Sequence, residues 1–270
     1  MGGKAVKFQN GRNVSKNAIS CLRVMAKSGF VTRAIWRDYF ARGSTRWHRR
    51  QLQRLCEGNL IEAHVNSKAL GVFVLSKFGK ILLAREGLRF ALPPFVGQLD
   101  HDELVLRSVL ELSKQKLIRG LLLENEMKSS EMRQHQITTS ARAEDQRYPD
   151  AIFELNVLGK KRMVALEYER TRKSPKRYRE KLWAYSHSSS FWVVIFVCES
   201  EVIKSMIKRQ LYFLRSPELS GKVAFVDKKQ WLAGPADASI NLENQTFSIR
   251  SLVTPKCYEK DREVALQVAL

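Results

Sequence analysis

The sequence has no long hydrophobic run. Its most extended one, "FWVVIFVC" from Phe191 to Cys198, is far short of the roughly 20 residues a bilayer-spanning helix needs. No apolar stretch follows the first lysines as it would in a secretory leader. Together these absences lead us to expect a soluble cytoplasmic protein with no membrane partner. Cysteine is sparse as well: Cys21, Cys56, Cys198 and Cys257 are far apart, with no CxxC pair, and read as free, buried thiols. Internal repeats and low-complexity segments are absent.

Acidic residues are scarce in one place. Over the 270 residues, 47 Lys and Arg face 27 Asp and Glu, a formal charge of +20. From Met1 to Phe90 the basic residues number 18 and the acidic ones 4, so +14 of the surplus lies in the N-terminal third. A field of that sign favours a polyanionic partner, with double-stranded DNA first among them. Hydrophobic residues make up 44% of the chain, enough for one large core or two modest ones.

What is present in that third reads as three short helices and a hairpin. "SKNAISCLRVMAKSGF" offers Ser15 as an N-cap, Ile19, Leu22, Val24 and Met25 at helical spacing, and Gly29 as a stop. Thr32 caps "RAIWRDYFA", and Ser44 caps "TRWHRRQLQRLCEG", whose inward set is His48, Leu52, Leu55 and Cys56. Next come "LIEAHV", a turn at Asn66 to Lys68, "GVFVLS" and a returning helix in "KFGKILLAREGL". This order is that of a winged helix-turn-helix over residues 14–92, after a polar tail at 1–13. Arg46, Arg49, Arg50, Gln53 and Arg54 fall outside the apolar set of the third helix, where they could meet base edges and phosphates. The alternative is a solvated basic face on a domain used for protein contacts.

Pro93, Pro94 and Gly97 break both helical and strand patterns, which places a linker at 93–100. Beyond it, Asp100 and Glu103 suggest a capping box for an apolar helix. "LIRGLLL", "AIFELNV" and "RMVALEYE" then read as strands, with a polar connection before the second of them. Ser174 and Pro175 start the helix "KRYREKLWAYSHS", and the apolar run Phe191 to Cys198 follows as a strand buried on both faces, hence parallel. "SEVIKSMIKRQLYFL" and "KVAFVDK" add a helix and a strand. After Trp231 the chain reads as irregular, and 256–270 as a tail.

Residues two apart on a strand share a face, so Glu167 and Glu169 point the same way. A four-residue loop, Leu158 to Lys161, would set Asp150 opposite Glu169 about 5 Å away. Three carboxylates so close require a cation, a shared proton or basic neighbours. Oxygen ligands in that number suit Mg2+ or Mn2+ and hydrolytic chemistry on a phosphodiester. The plainer alternative is an acidic strand end paired with Arg170, Arg172 and Lys173.

"YPDAIFEL", "ALEYERT" and "EKLWAY", within the order α-β-β-β-α-β, resemble the PD-(D/E)XK nuclease superfamily over residues 101–255. Asp150 and Glu167 match its two metal-binding acids, and Glu169 stands where lysine is usual. The resemblance implies catalytic roles for Asp150, Glu167, Glu169 and a migrated Lys181, whose helix is similar to the QxxxY helix of RecB-like members. Lys181 also reads as one more basic residue of its segment. Glu124 and Glu126 are candidates for a further upstream acid of the family's site. With the winged helix in front, the chain resembles the replication-relaxation family of plasmid and mobile-element proteins over residues 15–198.

The resemblance implies a DNA-binding protein acting in replication, transfer or processing of mobile-element DNA, with Arg172, Lys173 and Lys176 adding backbone contacts. Its partners would include other mobile-element proteins or a second copy in a homodimer. Two alternatives stand beside this expectation. One is a divalent-metal-dependent DNA endonuclease, and the other a transcription regulator whose second domain serves only to dimerise.

Overall fold

The computed structural model describes residues 14–41, 43–64, 71–129, 132, 148–243 and 245–253. The expected turn at 66–68, most of the polar connection before Asp150, both tails and Cys257 lie outside the described residues. The architecture is mixed α/β and divides into two compact units, 1–103 with 125–131, and 104–124 with 132–270. Among the described residues no helix is long and apolar enough to cross a membrane.

In the first unit, α1 (Lys16–Ser28) starts where the Ser15 hydroxyl accepts from the Ala18 N–H, and it buries Ala18, Cys21, Leu22, Met25 and Ala26. β1 (Val31–Thr32) leads into α2 (Arg33–Ile35), capped by the Thr32 hydroxyl and continued by a π-helical turn, Trp36–Phe40. α3 (Thr45–Glu57) begins at Ser44, whose hydroxyl accepts from the Trp47 N–H, and buries Leu52 and Leu55. β2 (Ile61–Ala63) and β3 (Val72–Leu75) pair antiparallel, and β1 joins the other edge of β3.

α4 (Lys77–Ala84) follows at once, with Ser76 as its cap. The Ser76 hydroxyl also donates to the Asn59 carbonyl, which ties the start of α4 to the segment before β2. Gly79 allows this approach, because a Cβ there would lie 2.1 Å from the Leu60 carbonyl oxygen. A short 3-10 turn (Val96–Gln98) runs directly into α5 (Leu99–Lys114), so Asp100 lies inside the helix and does not cap it.

The second unit is built on a seven-stranded mixed sheet in the order β10-β9-β8-β7-β6-β5-β4. β4 (Arg119–Leu123) precedes β5 (Ala151–Val157) and β6 (Lys160–Glu169), and α6 (Glu124–Ser129), which comes between β4 and β5 in the chain, belongs from Asn125 on to the first unit. α7 (Pro175–Ser186), capped by the Ser174 hydroxyl, crosses to β7 (Val193–Cys198), which lies parallel to β6 as its apolar character predicts. α8 (Glu201–Leu214) and α9 (Pro217–Ser220) lead to β8 (Val223–Asp227), parallel to β7. The stretch expected to be irregular after Trp231 forms order instead. α10 (Lys228–Ala233) leads into it, and β9 (Ile240–Leu242), β10 (Gln245–Phe247) and α11 (Ile249–Val253) follow.

The hairpin of β5 and β6 differs from its expected register. Val157 pairs with Lys160 and Ala151 with Leu166, so the loop is the two residues Leu158 and Gly159, and Lys160 and Lys161 belong to the strand. Both loop residues have positive φ, 51° and 81°, as a tight hairpin turn requires for its twist to match that of the strands. Carried one step further, this register sets Asp150 opposite Glu167 rather than Glu169. The shift is two residues, so every side chain keeps its expected face.

Gly79→Ala should lower stability by more than about 2 kcal/mol, because the methyl group meets backbone that cannot move aside without breaking the α4 cap. Urea denaturation of the two proteins measures the difference.

A buried cluster of acidic and basic side chains

Glu167 and Glu169 are each 1% exposed, and both lie on the face of β6 that α7 covers. Ser174 and Pro175 fix where α7 starts, and Tyr178, Leu182 and Tyr185 bury its inner side. Lys181 and Tyr185, four residues apart, therefore project from one helical face toward the same carboxylate. Lys181 Nζ donates to Glu167 Oε2 at 2.6 Å and to Glu169 Oε1 at 3.0 Å, while Tyr185 Oη donates to Glu167 Oε1 at 2.5 Å. Both oxygens of Glu167 are thereby engaged.

Lys173 supplies the second cation. Its Nζ donates to Glu169 Oε1 at 3.0 Å and lies 2.8 Å from Oε2, although Oε2 receives no well-aligned hydrogen bond among the described residues. The Lys173 N–H donates to Tyr178 Oη at 3.2 Å, holding the segment between β6 and α7 in place. Asp150 joins from the end of β5, where its Oδ2 accepts from the Tyr168 N–H at 2.6 Å. The Asp150 carbonyl oxygen accepts from the Glu124 N–H at 3.1 Å, so Glu124 borders this end of the sheet through its backbone. Glu126 pairs instead with Lys27, at 3.7 Å.

Three carboxylates and two ammonium groups thus meet at this end of the sheet. Burial, with Asp150 and Glu169 nearby, pushes the Glu167 carboxyl up to about 7 against the pull of the Lys181 ammonium. Burial works against the Lys181 ammonium too, but Glu167, Glu169 and Asp150 outweigh it and raise its pKa. Beside Glu167 in the sheet stands Phe196, whose ring meets that of Tyr185 edge-on, so the low-polarity wall that drives these shifts is visible.

The carboxylates have the oxygen chemistry that Mg2+ or Mn2+ prefers. In this arrangement the Lys181 ammonium stands between the two glutamates and donates to both. Among the described residues, no group of three or more His, Cys, Asp or Glu side chains is placed to hold a metal.

The predicted site residues fall into two sets. Asp150, Glu167, Glu169 and Lys181 come together, joined by Tyr185 and by Lys173, which the sequence assigned to DNA. The signal for Tyr185 is its four-residue spacing from Lys181 on one helix, whereas Lys173 lies in the connection between β6 and α7, where spacing carries no such signal. Arg172 and Lys176 remain exposed. On α3, Arg46, Arg49, Arg50, Gln53 and Arg54 are all exposed, with Gln53 Nε2 donating to Glu57 at 2.7 Å. Comparison with known protein families, curated proteins and solved structures found no match to this chain.

Because Glu167 binds its proton more tightly folded than unfolded, folded protein holds the extra proton between about pH 4.5 and about pH 7. Stability should therefore fall as pH rises through this window, by on the order of 3 kcal/mol at most. Glu167→Gln keeps an acceptor for Lys181 and turns an N–H toward Tyr185 Oη, which can accept it, and should flatten the slope, as read from urea unfolding at a series of pH values.

Proposed function

We propose that the chain is a double-stranded-DNA-binding protein whose α3 approaches the duplex. The observation that carries this reading is the division of α3 into two faces. Leu52 and Leu55 hold the helix to the first unit, while Arg46, Arg49, Arg50 and Arg54 stand exposed and, among the described residues, pair with no carboxylate. A helix of 13 residues is about 20 Å long, enough to lie in a major groove. Guanidinium groups that no carboxylate holds are available to phosphates and guanine edges.

The antiparallel pair β2–β3 directly after α3 is consistent with a winged helix-turn-helix, and the order α5, β4, β5, β6, α7, β7 with that of a PD-(D/E)XK domain. In the second unit the exposed Arg172 and Lys176 would add contacts to the DNA backbone. Lys173 and Lys181 are committed to the buried glutamates. A role in replication, transfer or processing of mobile-element DNA rests on the motif resemblance alone.

Anisotropy of a labelled duplex, titrated across salt concentrations, tests this reading. Arg46→Gln, Arg49→Gln and Arg50→Gln combined should reduce the slope of log affinity against log salt by about 3 and weaken binding at least about tenfold near 0.1 M salt. Unchanged affinity in that variant would remove α3 from the interface.

The meeting of Asp150, Glu167, Glu169 and Lys181 favours a second reading, a divalent-metal-dependent endonuclease. It would require Lys181 to leave Glu167, breaking a contact that neutralises a buried charge. The first reading expects supercoiled plasmid incubated with the protein and Mg2+ or Mn2+ to be bound and not nicked. Metal-dependent nicking that is lost in Asp150→Ala and Glu167→Ala would instead establish the enzyme.

A further inference from the structure

We propose that the last turns of α7 and α8 form a platform for single-stranded DNA, on which exposed aromatic rings stack with bases while basic side chains beside them meet phosphates. β6, β7 and β8 are mutually parallel, so α7 and α8 both run back against the strands and end on the side where β7 and β8 begin. The two helices pack against each other. Their C-terminal turns are therefore neighbours on the outside of the second unit.

Those turns carry the rings. Trp183 lies in the last turn of α7, and Tyr212 and Phe213 lie in the last turn of α8; they are 43%, 78% and 53% exposed. At about 100° per residue, Trp183 and His187 project from α7 on the side away from the buried Tyr178, Leu182 and Tyr185. Packing of α7 on the sheet thus does not account for the indole. On α8, Arg209 and Tyr212 likewise point away from the buried Ile203, Ile207 and Gln210. A single exposed ring is ordinary, but three on adjoining turns make a patch of the kind that receives a partner.

The rings are also held in place. The His187 imidazole lies against the Trp183 indole with centroids 3.9 Å apart. Its Nδ1 is 2.8 Å from the Trp183 carbonyl oxygen, which can only accept, so that nitrogen carries the proton and the imidazole is fixed. The Arg209 guanidinium lies over the Phe213 ring at 5.7 Å, and Phe213 meets Tyr212 edge-on at 6.3 Å. Rings positioned in advance lose little freedom when a base stacks on them.

Charge selects the occupant. Arg179, Lys208, Arg209 and Arg215 are exposed on or beside these turns and pair with no carboxylate among the described residues. The acids nearby are engaged or withdrawn: Glu201 pairs with Lys204, Glu218 pairs with Lys222, and Glu180 is half-buried. A second copy meeting this face about a two-fold axis would bring the cations together, whereas a polyanion neutralises them. A duplex keeps its base faces inside its own stack, so exposed rings gain nothing from it. A single strand offers bases and phosphates at once, the combination that stacking platforms in basic grooves use.

The platform goes beyond the duplex reading, which places α3 on DNA; only the choice of DNA over RNA rests on that reading. Anisotropy of the full chain with labelled oligo(dT) of about 20 nucleotides should show saturable binding with Kd below about 10 μM near 0.15 M salt. An oligomer of the same length and charge but without bases should bind at least about tenfold more weakly. Trp183→Leu and Tyr212→Ser should each weaken oligo(dT) binding at least about fivefold, while Trp183→Phe, which keeps a ring, should stay within about threefold of the unaltered chain. These side chains are exposed, so urea unfolding of the variants should be unchanged. The combined Arg46→Gln, Arg49→Gln and Arg50→Gln variant should hold oligo(dT) within about threefold of the unaltered chain.

Equal affinity for the base-free oligomer overturns the proposal. So does loss of oligo(dT) in the α3 variant with Trp183→Leu unaffected, a result that leaves the duplex reading standing. Dimerisation in sedimentation that Trp183→Leu abolishes, with oligo(dT) affinity unchanged, assigns the face to a second copy and overturns it as well. Failure of duplex binding beside the expected oligo(dT) results supports the platform and strikes only the duplex reading.

Discussion

Two carboxylates buried at the end of a sheet strand must be neutralised, and the second unit is arranged around that requirement. Glu167 and Glu169 sit on β6 at 1% exposure, where isolated charge would cost several kcal/mol. The start of α7 after Ser174 sets Lys181 and Tyr185 over them, and the path of the chain from Glu169 to Tyr178 sets Lys173 beside them. A register error in α7 by one residue would separate the ammonium from both acids. The cluster thus fixes where the helix must lie as firmly as the apolar packing of Tyr178 and Leu182 does.

The two ends of the charge problem are handled differently. In the cluster, cations and anions are matched to each other and are removed from solvent. On α3 the arginines remain exposed and without acidic partners among the described residues, at the cost of repulsion along one helical face. Surface arginines can tolerate this because water screens them. A chain carrying +20 could have distributed its acids evenly; instead 23 of 27 lie beyond Phe90, which leaves the first unit with most of the positive field.

Much of this is legible from residue order. Ser15, Ser44 and Ser174 cap the helices they are expected to cap, because a hydroxyl before an apolar period is a local signal that tertiary structure rarely overrides. The shared face of Glu167 and Glu169 follows from strand geometry alone. The hairpin loop is not legible: Lys160 and Lys161 look like loop residues because they are charged, and leucine at Leu158 does not announce a left-handed backbone. Asp100 has the look of a cap, but the 3-10 turn before Leu99 feeds straight into the helix and makes a cap unnecessary. Lys173 looks like a surface cation because its partner becomes near only when α7 folds back.

The tight turn at Leu158 and Gly159 has a bearing on how this hairpin can vary in length. Strand residues alternate between faces, so removing or adding a single residue between Asp150 and Glu167 would present the wrong side of one strand to α7. A change of two would merely slide Asp150 along β6 to the next position on the same face. Related chains should therefore show gaps here in even steps, and an odd gap should be accompanied by a bulge that restores the phase.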